Sequence, residues 1–318
     1  MNAEGRGQGA GIRGVAWIVL LTLLGGCTAP KPSFTDDDWV SNVTTGRGSY
    51  ERGDFRRAAD AFERAQQRAR AMDAADALAV AAVNRAVCLV RLDRAAEALE
   101  GIEEALADDR VSAERRMELQ AAGARTELAL GRLEEARSRA ARVLQSRPPL
   151  LLQAQARLVL AGAALAVNDT AAAVQALEEG LSDGEWGRFP ASIRAEYAAQ
   201  RGRVAELDER HAEAAERQDE AAAFWKQAGR LPEMARALAA AGRSAQRAGD
   251  PAGAADRLYR AARSLWAQGL RAEAAGLLEE GVACAEPAGE EALARRMAEL
   301  LVTFQRDLRR NHTGAESK

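Results

Sequence analysis

A turn signal that returns about every forty residues, with a small side chain at a fixed distance on either side, constrains this chain more than any other feature. Placing the first turn at Gly53 puts equivalent turns at Asp93, Gly131, Asn168, Glu209, Gly249 and Gly289, at intervals of 40, 38, 37, 41, 40 and 40 residues. Five residues past each turn stands an alanine: Ala58, Ala98, Ala136, Ala173, Ala214, Ala254 and Ala294. Seven residues before each stand Gly46, Ala86, Ala124, Ala161, Gly202, Gly242 and, as one exception, Val282. The side chains at a helix crossing set how closely two helices approach, so a bulky group at either offset would force a hairpin apart. The lattice therefore reads as one packing requirement repeated seven times, the signature of a stacked array of helical hairpins.

Composition agrees with helices throughout. Aromatic residues make up only 4% of the 318, too few for a sandwich or barrel built on aromatic and β-branched strands. Small alanines must supply the core, and the fold class is all-α. The stretches "AQRGRVAELDERHAEAAER" and "AAGRSAQRAGDPAGAADR" strengthen the period, because Gly202, Arg203, Ala205, Ala212, Ala214, Ala215 and Arg217 recur forty residues later. Gly229 and Gly269 mark further turns twenty residues out of phase. Pro148 and Pro149, the stretch from Ser182 to Pro190, and Pro287 all fall between the expected helices, where a missing backbone donor costs nothing.

Particular residues carry a resemblance to a known repeat family. "YERGDFRRAADAFERA", through Gly46, Tyr50, Gly53, Phe55, Ala58, Phe62 and Ala65, resembles the turn and second helix of a tetratricopeptide repeat. "RLDRAAEALEGIEEAL" matches the same template through Ala98, Ile102 and Ala105, and "GRLEEARSRA" from Gly131 does so a third time. The repeats here are longer than the usual 34 residues, and the last three lack the aromatic positions. The resemblance implies a right-handed α-solenoid of about seven TPR-like helical hairpins over residues 39–310, with a disordered tail at 311–318.

In that family the first helix of each pair lines a concave groove. Six residues before each turn, a groove-facing position in the family, stand Arg47, Val87, Arg125, Gly162, Arg203, Arg243 and Ala283. Tyr50, Gln246 and Arg247 would lie beside this row. A line of guanidinium groups could grip the carboxylates of an extended acidic peptide through planar forks of donors. The alternative is that these arginines are solvated face charges paired with neighbouring glutamates. The pairs Phe224-Trp225 and Leu265-Trp266 are expected in the core between repeats rather than as ligand anchors.

The start of the chain is unlike the rest. Arg6 and Arg13 precede an apolar stretch from about Gly14 to Leu24, the layout of an export signal. That stretch is little more than half of the roughly 20 apolar residues a spanning helix needs. Leu24-Gly25-Gly26-Cys27 resembles the lipobox of bacterial lipoproteins, which implies removal of residues 1–26 and a lipid on Cys27. Residue 28 is threonine rather than the aspartate that favours inner-membrane retention, so the implied address is the outer membrane, facing the periplasm. Residues 27–38 then form a tether, and Asp36, Asp37 and Asp38 end it by favouring a helix start.

Reactive chemistry is scarce. The formal charge is −3 and lysine stands only at 31, 226 and 318, a balance that gives no basis for nucleic-acid binding. No phosphate-binding loop, dinucleotide fingerprint, paired-cysteine or paired-histidine metal motif occurs. His211 begins a helix and His312 lies in the tail, neither with a nucleophile or metal ligand at motif spacing. Cys88 and Cys284 sit five residues before turns that are five repeats apart, too far for a disulfide, and are expected as buried thiols. The sequence thus points to a scaffold without enzymatic activity, cofactor or metal, whose partners are envelope proteins or extended peptides, acidic ones included. The competing readings are a regulator of a cell-wall or polysaccharide-synthesis enzyme and a periplasmic peptide- or glycan-binding protein.

Overall fold

A computed structural model describes residues 36–179 and 186–315, with side chains to residue 307. The signal segment, Cys27, the tether up to residue 35 and residues 316–318 lie outside the described residues. Those described form fourteen helices and no strand. In chain order they are α1 (Asp37–Glu51), α2 (Phe55–Ala71), α3 (Ala75–Arg91), α4 (Ala95–Leu106), α5 (Ala113–Ala129), α6 (Leu133–Gln145) and α7 (Leu150–Ala166). There follow α8 (Thr170–Glu178), α9 (Ala191–Leu207), α10 (His211–Gln227), α11 (Leu231–Arg247), α12 (Pro251–Ala267), α13 (Arg271–Ala285) and α14 (Glu291–Ala315). Each helix packs on the next along the chain, the α8–α9 step across a longer connection, and the result is an all-α solenoid of seven hairpins. In the middle of the array α3, α5, α7 and α9 also pack on one another in sequence.

The turns explain the period. All seven turn residues, Gly53, Asp93, Gly131, Asn168, Glu209, Gly249 and Gly289, have a left-handed backbone, with φ between 57° and 83°. Each first six of them sits in the middle of a three-residue link, in which two backbone bonds close the preceding helix. At the first turn the Gly53 N–H donates to the Tyr50 carbonyl and the Asp54 N–H to that of Ser49, each at 3.0 Å. At the fifth, Glu209 donates to Glu206 and Arg210 to Ala205, at 3.1 and 2.8 Å. This is the Schellman ending, which satisfies carbonyls that a helix terminus would otherwise orphan. The residue after the left-handed one immediately caps the next helix. Asp54, Asp169 and Asp250 do so with a carboxylate that accepts the N–H of Arg57, Ala172 and Gly253.

Asp73, Gly229 and Gly269, with φ of 51°, 71° and 81°, close the links between hairpins in the same way. From α9 onward the helices accordingly begin every twenty residues, at Ala191, His211, Leu231, Pro251, Arg271 and Glu291. The link within a hairpin and the link between hairpins are there one device, so neither helix of a pair is privileged.

The small-residue lattice has a steric partner that the sequence reading did not name. All seven alanines past the turns are buried, none more than 9% exposed. A β-carbon placed on Gly46 would come within 2.7 Å of the Phe62 ring, one on Gly202 within 2.7 Å of the Gln218 amide nitrogen, and one on Gly242 within 3.0 Å of Leu258 Cγ. Phe62, Gln218 and Leu258 all stand nine residues past their turns, an offset filled in other hairpins by the fully buried Ile102, Ala140 and Leu177. In the three hairpins with glycine at the crossing, a large residue on the second helix thus occupies the space that the glycine on the first vacates.

The exception at Val282 has a geometric cause. The link between α13 and α14 spans five residues, 286–290, rather than three, which shifts the crossing by one position. Gly281 takes the close approach, its imagined β-carbon 2.8 Å from Met297 Sδ, and Val282 is half-buried. The helix that follows runs to Ala315, five residues past the boundary at 310 placed from sequence.

Two further placements follow from this packing. α8 has only nine residues, and Trp186 and Phe189, just before α9, pack on Tyr197 with ring centroids 5.6 and 6.3 Å away. The described end of the separator before Pro190 is thus part of the core. Trp225 and Leu265 are buried, and Trp266 stacks on Phe304, as expected for residues between repeats. Cys88 and Cys284 are buried on α3 and α13, and neither forms a disulfide. No described helix is long and apolar enough to cross a membrane.

Candidate binding groove

The predicted arginine row does not emerge as a line of open guanidinium groups. Arg125 on α5 reaches α9, its Nη2 2.6 Å from Glu196 Oε1, and the charge of that glutamate raises its already high pKa. Arg243 on α11 donates twice to Glu280 on α13, from Nε at 2.7 Å and Nη2 at 2.9 Å. One turn pair earlier, Arg236 does the same to Glu273 at 2.9 and 3.0 Å. These two forks form a ladder between alternate helices, and each raises the pKa of its arginine chiefly through the carboxylate's hydrogen bonds.

Arg247 Nε lies 2.8 Å from Glu206 Oε1 on α9. Arg47 is half-buried on α1 and engaged within the chain. Arg203 is exposed and makes no ion pair among the described residues, because the α11 residue that would correspond to Glu280 in the next repeat is Ala240. Gln246 is exposed. Where the row lacks arginine, Val87 is half-buried, Ala283 is exposed, and Gly162 admits a close approach, its imagined β-carbon 2.8 Å from Leu128. The row is therefore mixed. Paired face charges account for Arg125, Arg243 and Arg247, while Arg203 alone keeps the open form expected of a carboxylate grip.

Tyr50 departs most from its expected place beside the groove. It is 5% exposed, and its ring lies 5.5 Å from that of Phe55. The guanidinium of Arg230, just before α11, sits 4.8 Å from the Tyr50 ring centre and 5.4 Å from that of Phe55. Glu233 Oε1 binds Arg230 Nη2 at 2.7 Å and Arg91 Nη1, on α3, at 3.0 Å. Burial pushes the Glu233 carboxyl up, but the Arg230 hydrogen bond and the charges of Arg230 and Arg91 outweigh it and leave the group below the usual carboxylate range. None of Arg91, Glu196, Arg230 and Glu233 was singled out from sequence. Arg230 and Glu233 pair three residues apart, but their other partners, and those of Arg91 and Glu196, lie 71 to 180 residues away, beyond the reach of local spacing.

Glu206 gathers a second cluster. Ser244 Oγ donates to its Oε2, and His211 Nδ1 lies 2.8 Å from its Oε1. His211 thus has a carboxylate neighbour that motif spacing did not show. These residue types suggest a hydrolytic relay, yet serine and imidazole each meet the carboxylate rather than one another, which is not the order of a serine–histidine–acid triad. Among the described residues no group of three histidine, cysteine or acidic side chains is placed to hold a metal ion.

No protein-family model matches the chain, and no curated protein does. Solved structures do. A tetratricopeptide repeat protein from Parabacteroides merdae is similar over 83% of this chain and 100% of its own, at 13% identity and a TM-score of 0.43. The TPR2AB domain of yeast Sti1, solved as a complex with pHSP90, is similar over 84% of this chain and 98% of its own, at 15% identity and a TM-score of 0.33.

Proposed function

We propose that this chain is a non-enzymatic protein–protein interaction scaffold that takes extended, acidic segments of partner proteins along one face of its solenoid. The reading extends to its setting: the lipid on Cys27 anchors it to a bacterial envelope membrane, the outer one facing the periplasm, where it serves an assembly, secretion or export machine. What carries the proposal is the arrangement on α5, α9 and α11 of arginines that remain about half exposed while each is held by a single glutamate, with Arg203 open between them. Such groups are pre-positioned, and a partner carboxylate can join or replace the resident one without reorganising the helices.

Fluorescein-labelled glutamate-rich and lysine-rich peptides, titrated at rising salt, test the binding part. The acidic peptide is expected to bind with a steep salt dependence and to lose affinity in Arg203→Ala and Arg243→Ala; equal binding of both peptides, or no loss in the variants, would dispose of it. Incorporation of a fatty-acid label into the chain, abolished by Cys27→Ser, tests the anchor.

A further inference from the structure

The first three helices meet the start of α11, far along the described array, through side chains. Arg230, in the link before α11, covers Tyr50 at the end of α1 and Phe55 at the start of α2. Glu233 in the first turn of α11 joins the same guanidinium to Arg91 at the end of α3. Arg125, with Tyr50 nearby, ties α5 to Glu196 on α9. Yet α1, α2 and α3 pack along their chain neighbours and not along α11. Each hairpin crossing carries a buried alanine past its turn, whereas this junction is made of long charged side chains around one aromatic pair.

We infer that the junction is a clasp, which closes the arc of the solenoid over its own concave face and which a partner must open to enter. This rests on the proposed groove reading for the identity of the partner, though not for the existence of the clasp. Two features of the cluster suit it to opening. It holds three guanidinium groups, Arg91, Arg125 and Arg230, against two carboxylates, Glu196 and Glu233, so an incoming acidic segment finds one unbalanced positive charge and further ones to win from the resident glutamates. Ion pairs of long side chains also weaken with salt, while the alanine-packed hairpins do not. Opening therefore separates the first three helices from α11 without unfolding any repeat, as expected of a solenoid whose stability comes from its neighbouring units.

Nitroxide labels on Arg56→Cys and Lys226→Cys, both exposed, in a chain with Cys27, Cys88 and Cys284 changed to alanine, read the gap by pulsed electron resonance. A single short distance is expected at low salt. It should lengthen by about 10 Å, roughly one helix diameter, in 1 M NaCl and in Arg230→Ala and Glu233→Gln, with helicity by circular dichroism unchanged. An unchanged distance in all three overturns the clasp, and the salt arm needs no variant to fold.

A fluorescein-labelled glutamate octapeptide then tests the gating. Arg230→Ala removes a positive charge, so simple charge attraction predicts weaker binding. Release of the clasp predicts tighter binding, by about tenfold where roughly nine chains in ten are closed. Lengthened distances with weakened or unchanged peptide binding would leave the clasp standing and remove its gating role, whereas failure of the unaltered chain to bind the acidic peptide at all would remove the acidic-groove reading instead.

Discussion

Replacing glycine by alanine at two helical sites should move stability in opposite directions, for a reason that lies wholly in the hairpin crossing. In an exposed helix interior the change stabilises by about 0.5–1 kcal/mol, because alanine loses less backbone freedom on folding. Gly276 on α13, half-buried itself, offers the same freedom, since a β-carbon there would meet nothing within 4 Å. At Gly46 the same β-carbon would fall 2.7, 2.8 and 2.9 Å from three atoms of the Phe62 ring, which is fully buried and has nowhere to swing. Ordinary carbon contacts lie at about 3.5–4.0 Å, so ring or helix must retreat by about 1 Å. Overpacking of that kind costs about 1–3 kcal/mol, and subtracting the propensity gain leaves Gly46→Ala destabilised by about 1–2 kcal/mol. Urea unfolding followed by far-ultraviolet circular dichroism, with hydrogen exchange of α1 and α2 as the local readout, measures both variants. Adding Phe62→Leu should recover part of the loss as a coupling of about 0.5–3 kcal/mol. Stabilisation of Gly46→Ala to the same degree as Gly276→Ala would refute the close crossing.

Other outcomes follow from particular groups. Glu209 holds a left-handed backbone at φ 59° without being glycine, so Glu209→Gly should raise the melting temperature, the relief of about 1–2 kcal/mol of strain exceeding glycine's entropic cost of about 0.5–1 kcal/mol. The Glu233 carboxyl, facing Arg230 and Arg91 with Arg236 nearby, is held below its unfolded value. Its contribution to the clasp is therefore complete above about pH 4.5 and is lost as pH falls through the folded value, so the label distance across the junction should lengthen on acidification below pH 4.5 and not on alkalinisation to pH 8. Cys88 and Cys284, buried and outside any disulfide, should react with a thiol reagent only after unfolding.

The hairpins were legible because their cause is local. A left-handed turn residue, an alanine five places on and a small residue seven places back all lie within one hairpin, and φ at all seven turns agrees. The match at nine residues past the turn was harder to see, since Phe62, Ile102, Ala140, Leu177, Gln218 and Leu258 share neither size nor polarity; what unites them is the space they fill. Asp73, unlike Gly229, gave no signal for its turn because aspartate is common in every setting. The groove was legible only in part. Position on a helix face suggested a row of arginines, but Glu196, Glu206 and Glu280, which hold Arg125, Arg247 and Arg243, come from other repeats through curvature that no short window encodes.

Nuclear Overhauser spectra of the methyl-labelled chain would test the lattice most directly, at the hairpins whose crossing residues all carry methyl groups. The repeated crossing predicts contacts of Ala86 with Ile102, Ala124 with Ala140 and Ala161 with Leu177, each joining the residue seven before a turn to the one nine after it. Absence of these three cross-peaks, with the same alanines found against other helices, would contradict it.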